Sequence, residues 1–269
     1  MTRLILFLTV TLLFACSGPA KQDIADQSES PDSIGQVETP EPAGPTLGFE
    51  QIIFPSQDSL PIRADVYIRD GKVPMILLCH QAGFSRGEYN VTALRINQAG
   101  FSCMAIDQRS GKEANGVTNE TAQKATEKGL PTDYLDARQD IEAAIDYLYE
   151  RSGHHPILLV GSSYSASLAL LIAKDNPKVR AVAAFSPGEY FKGTDIQQAL
   201  AGMSTAVFVT SSQKETPGVE KLVSAIDQKR VTHFKPEVAG IHGSRALWSS
   251  TEGNEAYWEA FLAFVKQHF

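Results

Sequence analysis

An apolar strand that turns directly into an apolar helix, with serines at the turn, constrains this chain most. Residues 158–170 read LLVGSSYSASLAL, which leaves no room for a loop between the two elements. A turn this sharp pushes one side chain out at the carboxyl end of the strand and points the first helical N–H groups at the same spot. The segment therefore predicts a nucleophilic serine, although a serine at a helix start can also be an ordinary N-cap.

Three serines compete for that position, and the space around the turn selects among them. Strand and helix pack closely there, so the residues two positions either side of the exposed serine must be small. Ser162 would place the bulky Val160 and Tyr164 at these flanks. Ser165 has small flanks but would lie half a turn inside the helix. Ser163 is the predicted nucleophile, because its flanks are a glycine and a serine.

A serine nucleophile needs a histidine as its base and a carboxylate to orient that histidine. The apolar strand at 206–210 is followed by a loop that carries Glu215, and the next strand is followed by His242 on a glycine-containing loop. Glu189 follows the preceding strand and is the alternative acid. Both glutamates lie between Ser163 and His242 in the chain, and Glu215 is preferred because the stretch around Glu189 can also be explained as a pocket wall. Glu215 and His242 are therefore predicted as the other two catalytic residues.

A further segment, His80-Gln81-Ala82-Gly83-Phe84, follows an apolar strand. Together with the serine turn and the order of acid and histidine, it resembles the α/β-hydrolase superfamily, in the style of dienelactone hydrolases and small esterases. The resemblance covers about residues 50 to 269. It implies that the backbone N–H groups of Ala82 and Tyr164 form the oxyanion hole. It gives His80 no acid–base role.

The resemblance implies a serine hydrolase of the carboxylesterase type that acts on a small-molecule acyl substrate and needs no cofactor. Ser163 would attack the carbonyl, His242 would carry the proton, and Glu215 would orient the imidazole. The sequence departs from the family pattern in having a serine for the second glycine of the turn and glutamate for the commoner aspartate. The alternatives are a peptidase of the same fold and a catalytically inactive binding lipoprotein.

Apolar strands alternate with helical patterns along the rest of the chain. Two opening strands predict an antiparallel pair, and six further short apolar stretches predict parallel strands covered on both faces. These strands are expected at 51–54, 62–69, 75–79, 101–106, 157–161, 179–185, 206–210 and 232–236. Helices are expected at 88–99, 133–151, 164–176, 219–229 and 254–268. The alternation predicts an α/β fold, a doubly wound, mainly parallel sheet of about eight strands.

Two pairs of residues near strand ends carry further predictions. Asp107 and Arg109, in an Asp-x-Arg turn, are predicted to form a structural ion pair that braces the loop. Cys79 and Cys103 are on apolar strands, and the resemblance implies that these strands are neighbours in the sheet. They are predicted to be buried free thiols, because adjacent parallel strands seldom offer good disulfide geometry.

The N-terminal part differs in composition from the rest. Residues 1–15 combine one basic residue with an apolar run too short to span a bilayer, and Cys16 follows directly. This resembles the signal peptide and lipobox of bacterial lipoproteins. It implies a lipidated Cys16 and a cell-envelope location, with the non-acidic Ser17 favouring the outer membrane. Residues 16–48, rich in Pro, Asp, Glu and Ser, predict a disordered tether, and 49–269 the hydrolase domain.

Charge and residue spacing exclude other classes of function. The net charge is −7, and no basic stripe is present that could bind nucleic acid. The histidines and cysteines lack the spacing of metal ligands. The sequence therefore predicts no metal and no nucleic-acid partner.

Overall fold

The computed structural model describes residues 48–69 and 75–269. Within these ranges, ten strands are present: β1 (Glu50–Pro55), β2 (Pro61–Tyr67), β3 (Met75–Cys79), β4 (Ser102–Ile106), β5 (Glu113–Ala114), β6 (Val117–Thr118), β7 (Ile157–Ser162), β8 (Val179–Phe185), β9 (Ala206–Thr210) and β10 (Val231–Phe234). The predictions for residues 1–15, for Cys16 and for the tether up to residue 47 lie outside the described residues. None of the helices in these two ranges has the length and hydropathy that a membrane span requires.

Eight of these strands form one sheet, in the order β1-β2-β4-β3-β7-β8-β9-β10. The strands from β4 to β10 in that order run parallel to one another, whereas β1 and β2 pair antiparallel and β2 pairs antiparallel with β4. β3, β4 and β7 are buried along their whole length, as expected of strands covered on both faces. The predicted α/β fold with a mainly parallel eight-stranded sheet is confirmed.

Helices cover both faces of the sheet. They are α1 (Asn90–Gln98), α2 (Glu120–Glu127), α3 (Arg138–Arg151), α4 (Tyr164–Ala173), α5 (Ile196–Ala199), α6 (Thr216–Val223) and α7 (Asn254–His268). One core joins the sheet to α3, α4 and α6 through residues such as Ile141, Leu168 and Val219. The other joins it to α1 and α7 through Ala93 and Phe261.

Four elements of the structure differ from the sequence prediction or were absent from it. The helix expected at 219–229 ends at Val223, because the Asp227 carboxylate accepts the N–H of Lys229 and starts a separate 3₁₀ turn. The β5–β6 hairpin, α2 and α5 were not predicted. A signal for α2 is present in the sequence, since the Asn119 side chain accepts the N–H of Ala122 as an N-cap.

The predicted ion pair between Asp107 and Arg109 is wrong. Asp107 pairs with Arg86, with 2.6 Å between Oδ2 and Nη1. Arg109 is fully buried and donates to two carboxylates, with Nη2 at 2.8 Å from Asp140 Oδ1 and Nη1 at 2.8 Å from Asp58 Oδ2. A buried guanidinium has five donors to satisfy, and two carboxylates in its plane do this better than a single neighbour in the chain.

Both cysteines of the described part are buried free thiols, as predicted. They lie on adjacent strands, β3 and β4, but Cys79 is opposite Ile106 and Cys103 is opposite Ile76. The register therefore separates the two thiols by three positions along the strands.

Candidate active site

Ser163 lies at the turn between β7 and α4, with φ 59° and ψ −121°. An L-residue adopts positive φ only when the surrounding structure compensates for the strain. Here the Ser163 N–H donates to the carbonyl of Phe185 at 2.8 Å, and its carbonyl accepts the N–H of Ala166 at 2.9 Å. The turn is thereby held to β8 on one side and to the helix on the other.

The hydroxyls of the two neighbouring serines donate hydrogen bonds to groups in the protein interior. Ser162 Oγ donates to Glu88 Oε1 at 2.8 Å, and Ser165 Oγ donates to the carbonyl of Cys79 at 2.7 Å. Both residues are fully buried. The hydroxyl of Ser163 instead bonds to the side chain of Tyr190, which is 36% exposed. Ser163 remains the predicted nucleophile.

The side chains of the predicted acid and the predicted histidine are in contact in the structure. Glu215 lies at the start of α6, and His242 precedes the 3₁₀ turn Gly243–Leu247. His242 Nδ1 and Glu215 Oε1 are 2.5 Å apart. A proton on Nδ1 donated to the carboxylate leaves Nε2 to accept a proton from a nucleophile. Among the residues that the structure describes, no hydrogen bond joins Ser163 Oγ to the His242 ring.

The second oxygen of Glu215 is held by serines. Ser212 donates to Oε2 through its hydroxyl at 2.6 Å and its N–H at 3.1 Å, and Ser186 Oγ donates at 3.0 Å. Burial raises the pKa of Glu215, but the hydrogen bonds from His242 and these serines outweigh it and hold the pKa at about 2. The carboxylate is therefore ionised at neutral pH.

Ser186 connects the acid to the histidine loop. Its hydroxyl accepts the N–H of Gly243 at 2.9 Å while it donates to Glu215. Ser186 has φ 54°, a second non-glycine residue near the site in the left-handed region. Sequence reasoning missed this residue, because a serine after a strand carries no local pattern that distinguishes it.

The alternative acid, Glu189, has a different environment. Its carboxylate accepts the N–H of Ile196 at 2.8 Å and of Gln197 at 3.0 Å, at the start of the short helix α5. These bonds cap the helix and use both carboxylate oxygens. Within the described residues, Glu189 makes no hydrogen bond to His242.

The two predicted oxyanion donors are available. Ala82 lies in the turn after β3, and Tyr164 is the first residue of α4. Among the hydrogen bonds of residues 75–269, none uses the backbone N–H of either residue. His80, in the same turn, is fully buried, and its Nε2 accepts the N–H of Gln108 at 3.1 Å. Burial lowers the pKa of His80 to about 4, so the ring is neutral and structural.

Glu88 is a second residue of the site that sequence reasoning missed. It lies in the 3₁₀ turn Arg86–Tyr89 and is fully buried. The sequence places it before an apolar helix, where a glutamate is ordinarily explained by the helix dipole. Its carboxylate contacts the serine turn through Ser162.

Two open cavities lie next to these residues. One of about 650 Å³ includes Ser110, Tyr134 and Tyr190 in its wall. Another, of about 520 Å³, includes Tyr190 and Glu215. Among the described residues, no group of three or more His, Cys, Asp or Glu side chains could hold a metal ion.

Comparison with known structures shows the same fold. An esterase of Pyrococcus furiosus is 13% identical with a TM-score of 0.63, covering 82% of this chain and 91% of its own. A dienelactone hydrolase of Anabaena variabilis is 18% identical with a TM-score of 0.59, covering 80% and 94%. An esterase of Pyrobaculum calidifontis is 14% identical with a TM-score of 0.56, covering 80% and 82%.

Comparison with sequences gives the family. No curated protein matches the chain. The model of the serine aminopeptidase S33 family matches residues 72–253, more than half of the 269 residues. The resemblance inferred from the serine turn, the acid and the histidine is confirmed at the level of the superfamily. The chain belongs to the serine aminopeptidase S33 family of α/β-hydrolases.

Proposed function

We propose that the chain is a serine hydrolase that cleaves esters through Ser163, His242 and Glu215. The observation that carries the proposal is the strained Ser163 turn together with the bond between His242 Nδ1 and Glu215 Oε1. Family membership supports hydrolysis as the reaction class. The sequence order of these three residues and the free N–H groups of Ala82 and Tyr164 fit acyl transfer to water.

The reaction has two steps, acylation of Ser163 and hydrolysis of the acyl-enzyme, and His242 takes up and returns one proton in each. Ser163 Oγ attacks the ester carbonyl while His242 Nε2 takes its proton, and the carbonyl oxygen becomes an oxyanion facing the N–H groups of Ala82 and Tyr164. Collapse breaks the bond to the alcohol, which leaves with the proton from His242. Water then repeats the sequence on the acyl-serine and releases the acid. Glu215 stabilises the imidazolium that forms in each step.

The electrostatics favour Glu215 as the acid. The depressed pKa of its carboxyl group keeps it charged while His242 carries the proton. The bridge through Ser186 holds the carboxylate and the histidine loop in one geometry, so little reorganisation is needed during reaction.

The test uses the full chain in detergent. Wild type and Ser250→Ala, which changes an exposed serine, are expected to hydrolyse short-chain esters and to be labelled by a fluorophosphonate probe. Ser163→Ala is expected to lose both, with its unfolding midpoint nearly unchanged, because its hydroxyl stabilises no buried group. A folded wild type that shows neither labelling nor turnover would support the alternative of an inactive, ligand-binding hydrolase fold.

A peptidase is the second candidate, on the description of the family that the chain matches. The same triad cleaves amides, so the distinction lies in substrate binding. Aminoacyl anilides compared with esters of the same amino acids at equal concentration decide between them. Higher kcat/KM on the anilides would replace the esterase proposal.

The proposal extends to location. Cys16 directly after an apolar run of residues 4–15 is consistent with lipid attachment through diacylglycerol and an N-acyl group, and several acyl chains anchor a protein stably. Wild-type cells fed labelled palmitate are expected to incorporate it into the chain, which fractionates with the outer membrane. Cys16→Ser is expected to lose the label. Wild-type protein found unlabelled in the periplasm would refute the anchor.

A further inference from the structure

Two half-exposed tyrosines lie beside the serine turn, Tyr134 against Tyr164 and Tyr190 against Ser163. Tyr134 is 39% and Tyr190 36% exposed. A cavity of about 650 Å³ has both side chains in its wall. Large aromatic side chains left open to solvent beside a site are candidates for substrate contact.

Tyr190 is held against the segment that follows β8. Its hydroxyl donates to the carbonyl of Ser186 at 2.9 Å, and an added Cβ on Gly188 would lie 2.9 Å from its ring, so the ring packs on the backbone. Burial raises the pKa of Tyr190, against the opposite effect of the neighbouring Ser163 hydroxyl. The ring is therefore placed beside Ser163 before any substrate binds.

Tyr134 is held against the residue that follows Ser163. Its ring stacks on that of Tyr164, with the centroids 4.5 Å apart and the planes at 17°. Tyr164 follows the nucleophile and is itself held, because its hydroxyl donates to the carbonyl of Ser110 at 3.1 Å and accepts from Gln108. Ser110 also lines the same cavity.

The wall of this cavity contains several of the large hydrophobic side chains that are exposed to solvent. Of seven large hydrophobic side chains exposed in the described residues, three share it: Tyr134, Leu135 and Tyr190. The charged side chains of the wall, which are Lys192, Asp133 and Asp136, are of both signs. Such a wall selects neither a cation nor an anion strongly, and it suits an uncharged, flat group.

We propose that this cavity is a substrate subsite that binds an aromatic ring in the acyl or the alcohol part of the ester. The inference rests on the proposed function, since it places the ring within reach of Ser163. A planar ring gains offset-stacked or edge-to-face contact with the two tyrosines, and their fixed positions reduce the entropy lost on binding. A saturated ring of equal size gains only area.

The test is a matched pair of substrates on the full chain. Ethyl 3-phenylpropanoate and ethyl 3-cyclohexylpropanoate differ only in the ring, which is planar and aromatic in the first and saturated in the second, and benzyl acetate and cyclohexylmethyl acetate make the same comparison in the alcohol. The more hydrophobic cyclohexyl group would be favoured by burial alone. We expect kcat/KM for the phenyl member to be roughly three- to tenfold higher in at least one pair.

Variants assign that preference to the tyrosines. Tyr134→Leu and Tyr190→Leu are each expected to bring the phenyl-to-cyclohexyl ratio close to one, mainly through KM, whereas Tyr134→Phe keeps it. Phe49→Leu, which removes an exposed aromatic ring outside the cavity, is expected to leave the ratio unchanged. A wild type that hydrolyses esters with a ratio of one or below in both pairs would overturn the subsite and leave the proposed function standing. A wild type that hydrolyses no ester would instead contradict the proposed function.

Discussion

Glu88 accepts a hydrogen bond from Ser162, with 2.8 Å between Oε1 and Oγ, directly behind the predicted nucleophile. The same carboxylate accepts from Ser244 Oγ at 2.5 Å and from the N–H of Gln81 at 2.7 Å. One buried side chain thus joins the serine turn, the loop after His242 and the turn that carries Ala82, a predicted oxyanion donor. Burial raises the pKa of Glu88, and these bonds counteract the shift.

Glu88→Gln is expected to lower kcat by up to ~100-fold with little change in KM, since small displacements of catalytic groups are costly. If Oε1 stays the acceptor of the two serine hydroxyls, the amide NH2 replaces Oε2 and faces the N–H of Gln81. This leaves a buried donor unsatisfied and costs about 1–3 kcal/mol in the free energy of unfolding. Steady-state kinetics and urea denaturation measure the two effects. Glu252→Gln, at an exposed position, is the control. An unchanged kcat in a folded Glu88→Gln protein would show that the network does not position the site.

The choice of acid is tested by two matched substitutions. Glu215→Gln is expected to lower kcat by up to ~10⁴-fold, because the amide can hold His242 in the wrong tautomer and does not stabilise the imidazolium. Glu189→Gln is expected to cost far less in kcat, because its carboxylate caps α5. The measurement is kcat/KM for both variants on one ester. A larger loss at Glu189 would transfer the role of acid to it.

Glu215 also gives a pH dependence of stability. Its pKa falls from the ordinary value of 4.5 to about 2 in the folded protein. A group with a depressed folded pKa stabilises the protein above its unfolded pKa, and this contribution is lost as the pH falls through the folded pKa. The difference in free energy of unfolding between wild type and Glu215→Gln should therefore shrink between pH 4.5 and about 2. A difference that stays constant over this window would contradict the assigned cause.

The serine turn was readable from the sequence because its requirements are local. Small residues two positions either side of Ser163 follow from the close packing of β7 and α4, and they were sufficient to choose among adjacent serines. Glu215 and His242 were found from their order after strands, and the structure places them in contact. The sheet was predictable for the same reason, since each buried strand is a short apolar run.

The contacts of Glu88 and Ser186 could not be predicted from the sequence, because their partners are distant in the chain. Glu88 and Ser162 are separated by 74 positions, and Ser186 and Gly243 by 57. No periodicity or motif links such pairs, and a buried glutamate has the same local signature as a solvated one. The partner of Arg109 was mispredicted for this reason too, since Asp140 lies 31 positions away.

The close packing at the serine turn predicts the effect of a single methyl group. A Cβ on Gly161 would lie 2.4 Å from the carbonyl oxygen of Ser165 and 2.6 Å from the backbone nitrogen of Ala166. Both atoms belong to the backbone of α4, so Gly161→Ala must displace the helix from the strand. We expect it to destabilise the protein by roughly 1–3 kcal/mol and to remove most of the activity.

Gly218→Ala is the matched control, because a Cβ at Gly218 would meet no atom within 4 Å. Gly218 is the third residue of α6, where alanine is favoured over glycine by up to about 1 kcal/mol. This variant should raise the urea midpoint and retain kcat, while Gly161→Ala lowers both. Equal stability and activity in the two variants would mean that β7 and α4 can separate freely, and the requirement for a small residue before Ser163 would no longer follow from packing.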